Sequence, residues 1–149
     1  VKKFNLSNFF KGVSIRPGKP ILFAKLKGLN KAIFGLPGNP ISSSACFRFF
    51  VYPYLLNILE VKAEKPFKAK LKNDYSKSKK IIRFLKAKLT STNDGKLELQ
   101  VLKGQESFRI KSFVVSNVWG LFKYGQSNFK KGELIDCYSP IGSNINIFK

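Results

Sequence analysis

Two short turns carry the residue types best suited to chemistry. In Ile15-Arg16-Pro17-Gly18-Lys19-Pro20, two prolines restrict the backbone while Arg16 and Lys19 stand three residues apart. Cations held this rigidly suit a small anion of more than one charge, although a solvated turn would carry the same residues. The second turn is Gly35-Leu36-Pro37-Gly38-Asn39-Pro40, followed by Ser42, Ser43 and Ser44. Here Gly35 and Gly38 allow a tight turn, Asn39 suits a helix N-cap and Pro40 the first helical position. A helix start of this kind aims backbone N–H groups at an anion, and the serines add hydroxyl donors; an ordinary Asn-Pro cap reads identically. No Gly-Lys-Ser/Thr follows, so this is not a Walker A loop.

Other chemistries find less support. The chain of 149 residues has no histidine, which excludes His-based triads and His metal ligands within it. Cys46 and Cys137 match no metal spacing and read as reduced, cytosolic thiols. Asp74, Asp94 and Glu133 fall in loop-like stretches and Glu98 on a polar strand face, so no carboxylate pair stands out for acid–base work.

The elements that position the two turns divide into two parts. Residues 1–59 hold short apolar runs at 12–15, 21–26 and 31–36, bounded by Gly and Pro, which read as strands. Residues 40–59 form a helix apolar on nearly all sides, which Pro53 should kink or split. Strand, Gly turn and helix belong to α/β architecture, but three strands and one helix make an incomplete half. Residues 60–149 read as a small all-β, barrel-like domain. Strands are expected at 66–71, 80–92, 96–102, 134–138 and 145–148, with Asp94-Gly95 as a hairpin signal. Residues 72–80 read as a solvated loop, and 108–118 fit either a strand or a short helix.

The charge is extreme: 28 basic against 8 acidic residues give a net +20. Such a field attracts anions. Only four basic residues are Arg (Arg16, Arg48, Arg83, Arg109), and an excess of Lys, Phe, Asn and Ile also follows from AT-rich codons. Aromatics interleave with Lys at Phe67, Tyr75, Phe84, Phe108, Phe113, Phe122 and Tyr124, which admits a Lys-rich β module binding nucleic acid nonspecifically as the alternative function. No apolar run reaches the roughly 18 residues of a membrane span.

Taken together, the two turns resemble the molybdopterin molybdotransferase family, the MoeA-like enzymes and the E domain of gephyrin. Arg16-Pro17-Gly18-Lys19-Pro20 precedes Gly35-Leu36-Pro37-Gly38-Asn39-Pro40 by about fifteen residues. Phe49-Phe50-Val51-Tyr52-Pro53-Tyr54-Leu55 is similar to that family's helix end. Phe84-Leu85-Lys86 stands where the family has Phe-Leu-Arg, Gln105-Glu106-Ser107 where it has a Gln-Gly-Ser turn, and Ser116-Asn117 where it has Ala-Asn.

The resemblance implies an enzyme that inserts molybdate into adenylylated molybdopterin and releases AMP, with Mg2+ as the implied metal, working as a cytoplasmic homodimer. It implies that residues 1–59 are the end of a molybdopterin-binding three-layer α/β domain and 60–149 the C-terminal β domain. Substrate-binding residues carried over are Arg16 and Lys19 near molybdate and phosphate, Gly38, Asn39 and Ser42 around the pterin phosphate, and Lys86 and Ser107. Lys86 keeps the charge of the family's Arg without its planar fork, and Glu106 replaces a Gly. The family's Gly-Gly-x-Ser loop and catalytic aspartate have no counterpart here, and there is no Met. The chain is therefore expected to be a C-terminal fragment with no catalytic residue or metal ligand of its own, inactive in isolation.

Overall fold

The computed structural model describes residues 6–142. The expected strand at 145–148 lies outside them. The first part is a three-stranded antiparallel sheet of β1 (Leu6–Lys11), β3 (Leu22–Leu26) and β4 (Ala32–Gly35), in the order β1-β3-β4. Gly12, at φ 79°, turns the chain out of β1. The strand expected at 12–15 is thus displaced: β1 precedes it, and only Ile15–Arg16 forms a strand, β2.

The apolar segment after Pro40 is helical throughout: α1 (Pro40–Cys46), a π turn (Phe47–Val51) and α2 (Tyr52–Ile58). The Asn39 side chain accepts from the Ile41 and Ser42 amides at 3.1 and 3.4 Å and so caps α1. Pro53 neither splits nor ends the helix. The π turn, in which the Tyr52 N–H reaches the Phe47 carbonyl, changes the bonding register just ahead of the proline that has no N–H to give.

The second part is a closed barrel. Strands β5 (Phe67–Leu71), β7 (Ile82–Ser91), β8 (Leu97–Val101), β9 (Val118–Phe122) and β11 (Leu134–Tyr138) pair in the ring β7-β8-β5-β11-β9-β7. The Asp94-Gly95 hairpin joins β7 to β8, with Gly95 at φ 75°. Residues 108–118 resolve into a short helix, α3 (Ile110–Val114), ahead of β9. Residues 72–80 are not simply solvated: β6 (Tyr75–Ser76) pairs with β10 (Asn128–Phe129), and Lys77 is buried. The Lys77 ammonium donates to the carbonyls of Ser78, Ile81 and Gln126, using its three protons.

Strand β2 leaves the first part to join the barrel, running parallel to β7 with Ile15 opposite Ile82 and Arg16 opposite Arg83. The alternation of β7 then divides the interior. Leu85 and Ala87 face the barrel core with Leu71, Leu99, Phe122 and Ile135. Ile82 and Phe84 face outward, and with Ile15 and Trp119 they meet Ile41, Ala45 and Phe49 of the helical segment. Phe49 and Phe84 stack with ring centroids 3.8 Å apart. Arg48, beside this seam, is buried: it pairs with Glu64 at 2.5 Å, donates to the Ser139 carbonyl at 2.7 Å and lies among Phe49, Tyr52 and Tyr138.

Candidate functional site

The two parts meet around a cavity of about 360 Å3 lined by residues 15–20, Ser42, Ile81, Gln105 and Ser107. The turn from Arg16 to Pro20 reaches it because Gly18, at φ 104°, packs its backbone against Cys46 of α1. That contact brings Ser42, one turn earlier on the same helix, beside Arg16 and Lys19. The barrel supplies the opposite wall through the loop between β8 and α3.

This loop is held by an unusual set of bonds. The Gln105 side chain accepts from the Lys86 amide at 3.0 Å and donates to the carbonyls of Lys86 and Leu102, both at 2.7 Å. The Lys86 ammonium donates to the carbonyls of Gly104, Glu106 and Arg109 at 2.7, 3.1 and 3.3 Å. Burial pushes the Lys86 pKa down, partly countered by Glu106. Lys86 and Gln105 therefore fix the loop that carries Ser107 to the cavity.

Of the seven expected binding residues, the structure gathers Arg16, Lys19, Ser42 and Ser107. It does not gather the other three. Lys86 is buried with its protons committed to carbonyls, so its charge is not presented to a ligand. Asn39 is spent on its own cap, and Gly38 lies at the surface outside the cavity. The amides of Ile41 and Ser42, which an anion would need, already bond Asn39. At this helix start the ordinary cap accounts for the residues.

The lining holds two cations and no carboxylate. It has no nucleophile poised at neutral pH either: burial pushes the adjacent Cys46 thiol up to about 11, and burial with the Asp136 charge pushes Cys137 up to about 12. What the arrangement can do is bind and polarise an oxyanion. The aromatic residues offered as a base-stacking surface are mostly interior. Phe84 and Phe122 are buried, and Tyr75 and Phe113 pack against the two cores. Only Phe108 and Tyr124 of that set are exposed, so the interleaved aromatics form no stacking platform.

Comparison with known proteins identifies the arrangement. Residues 4–57 match the model of a probable molybdopterin binding domain, and residues 68–139 match the MoeA C-terminal region (domain IV). The chain is 30% identical to the molybdopterin molybdenumtransferase of Haemophilus influenzae over 138 residues, 91% of this chain and 33% of the relative. It is 35% identical over 118 residues to the molybdenum cofactor synthesis protein cinnamon of Drosophila melanogaster, covering 71% of this chain and 18% of that protein. The crystal structure of the molybdopterin biosynthesis moeA protein from Pyrococcus horikoshii superposes with a TM-score of 0.73 at 23% identity, over 92% of this chain and 33% of that one.

The chain belongs to the molybdopterin molybdotransferase family. It spans about a third of the length of the bacterial relatives it matches. Its short α/β part followed by a β barrel is the architecture expected from the sequence. The Mg2+ implied by the family resemblance does not fit these residues. Among those described, no three His, Cys, Asp or Glu side chains gather to hold a metal ion, and the cavity lining has no acid at all. Nor is any described helix long and apolar enough to cross a membrane. Sequence reasoning did not single out Gln105 as a lining residue. The signal was the Gln105-Glu106-Ser107 turn, but its use required knowing that the turn folds back onto β7.

Proposed function

We propose that this chain forms part of a site that inserts molybdate into adenylylated molybdopterin with release of AMP. The observation that carries this reading is the convergence of Arg16, Lys19, Ser42 and Ser107 on one carboxylate-free cavity. Arg16 and Lys19 neutralise the oxyanion and phosphate oxygens, and the two hydroxyls donate to oxygens that gain charge as the phosphate leaves. Gly38 and Asn39 act by holding the start of α1 in place, and Lys86 by holding the loop of Ser107. No acid, base or nucleophile in the lining performs a proton or covalent step, so the 149 residues alone bind substrate without turning it over.

In this reading residues 1–59 end a molybdopterin-binding domain and 60–149 form the C-terminal β domain. The family matches at 4–57 and 68–139 support a boundary between them. The family resemblance supports a cytoplasmic homodimer, which light scattering on the purified full-length protein tests. Activity is tested by AMP release from adenylylated molybdopterin in the presence of molybdate, again with the full-length protein. Arg16→Gln and Lys19→Gln should each slow release by roughly tenfold or more, the scale of one lost charge-assisted contact. Release at the unaltered rate in both variants refutes the assignment.

A further inference from the structure

The Arg83 side chain has no part in the contacts described so far, and its surroundings are charged in an unfavourable way. It stands opposite Arg16 in the parallel pairing of β2 with β7, so both side chains leave the same face of neighbouring strands about 5 Å apart. Like charges in register repel. The Tyr75 hydroxyl lies against Arg83 and within the field of Arg16. The buried ammonium of Lys77 feels Arg83 as well. Among the described residues no ion pair joins a carboxylate to this cluster: those of Glu64, Asp74, Asp94, Glu98, Glu106 and Asp136 go to other cations. Glu133 bonds Gln126 and the Lys130 amide instead. The Nε of Arg83 is buried without any hydrogen-bond partner.

A buried guanidinium N–H without an acceptor, beside a second guanidinium and a phenol, is costly unless something accepts from it. Arg16 already lines the cavity, and Gln105 lines both that cavity and a neighbouring one of about 390 Å3 that contains Tyr75. Arg16 thus lines the first cavity, while Arg83 lies between Arg16 and Tyr75, which lines the second together with Asp74 and Glu106.

We propose that Arg83 joins Arg16 as a second guanidinium for the same ligand, which makes the site selective for a tetrahedral dianion over a monoanion. The inference rests on the oxyanion reading of the cavity and adds a specificity-determining residue to it. The shared ligand chemistry is a tetrahedral oxyanion carrying two charges, free or at the end of a monoester.

The test is calorimetric titration of the 149-residue chain with molybdate, glycerol phosphate and nitrate, together with the melting temperature of each form without ligand. The unaltered chain binds molybdate or glycerol phosphate and not nitrate; which of the two binds more tightly separates the free ion from the ester. R83Q weakens that binding roughly tenfold or more, one charge-assisted contact, while its melting temperature without ligand stays level or rises as like-charge repulsion is relieved. R83K retains an intermediate affinity, having the charge without the fork. Equal binding by R83Q, with R16Q impaired, overturns the role of Arg83 and leaves the cavity reading intact. Failure of the unaltered chain to bind either dianion overturns both. A fall in the ligand-free melting temperature of both R83Q and R83K marks a structural arginine and also overturns the proposal.

Discussion

The backbone of Gly18 lies so close to the thiol of Cys46 that a Cβ at position 18 would come to 2.6 Å from Sγ. The Cys46 S–H points back at the Gly18 carbonyl, 3.5 Å away. This contact docks the turn bearing Arg16 and Lys19 onto α1. Gly18→Ala meets both the overlap and a φ of 104° that side chains resist. It should cost at least about 2 kcal/mol in chemical denaturation. Adding Cys46→Ala removes the overlap and leaves the backbone strain, so the double variant recovers part of the loss. No recovery would mean that the turn is not seated on Cys46.

Lys86 offers a second check, because a ligand and a scaffold residue fail differently. Lys86→Met takes the ammonium from three carbonyls: Glu106 keeps only the Arg109 amide, and Gly104 and Arg109 are left to share the Ser112 hydroxyl. The expected loss is about 2–4 kcal/mol of stability, from the charge-assisted hydrogen bonds that tie β7 to this loop. Anion affinity falls with it as the loop of Ser107 loosens. A stable Lys86→Met chain that merely binds anions less well would instead show a direct contact.

What was legible in the sequence was local. The Asn39 cap, the Pro40 start and the Asp94-Gly95 hairpin depend on residues a few positions apart, and each formed where its chemistry directs. The turn of Arg16 and Lys19 was legible as rigid cation placement. The pairing of Arg16 with Arg83 was not, since nothing short-range announces that two residues of the first part will extend the barrel sheet. Lys86 misled for a related reason. The resemblance carried it over as a binding charge in place of the family's Arg, and the carbonyls that absorb it come from a loop whose path the local pattern does not encode. Lys77 hid in the same way inside a stretch that composition marks as solvated.

Arg48 and Glu64 form an ion pair beside the seam between helix and barrel. Both side chains are buried, and Arg48 also bonds the Ser139 carbonyl just beyond β11. Arg48→Ala breaks a buried ion pair from one side and should cost about 3–5 kcal/mol. Arg48→Met with Glu64→Leu removes both charges and should cost much less, as read by denaturant midpoints. Equal losses would assign the effect to packing among Phe49, Tyr52 and Tyr138 rather than to the ion pair.

Acid should loosen the barrel wall at Asp136. Its carboxylate is mostly buried between Lys68 and Lys123, and the hydrogen bond from Lys68, ahead of that from Lys123, holds its pKa below the ordinary 3.8. A carboxyl whose folded pKa is depressed binds fewer protons folded than unfolded. Its contribution is complete above the unfolded value and drains away as pH falls from near 3.8 through the folded pKa. Both lysines are more than half exposed, so screening limits the effect to about 1 kcal/mol. Asp136→Asn should therefore lower the melting temperature at pH 7, with the gap to the unaltered chain closing below the folded pKa. Added salt should narrow the gap at pH 7 as well, since Lys68 and Lys123 reach Asp136 from the solvent side. A gap that persists unchanged into strong acid would locate the role of Asp136 in its shape and not in its charge.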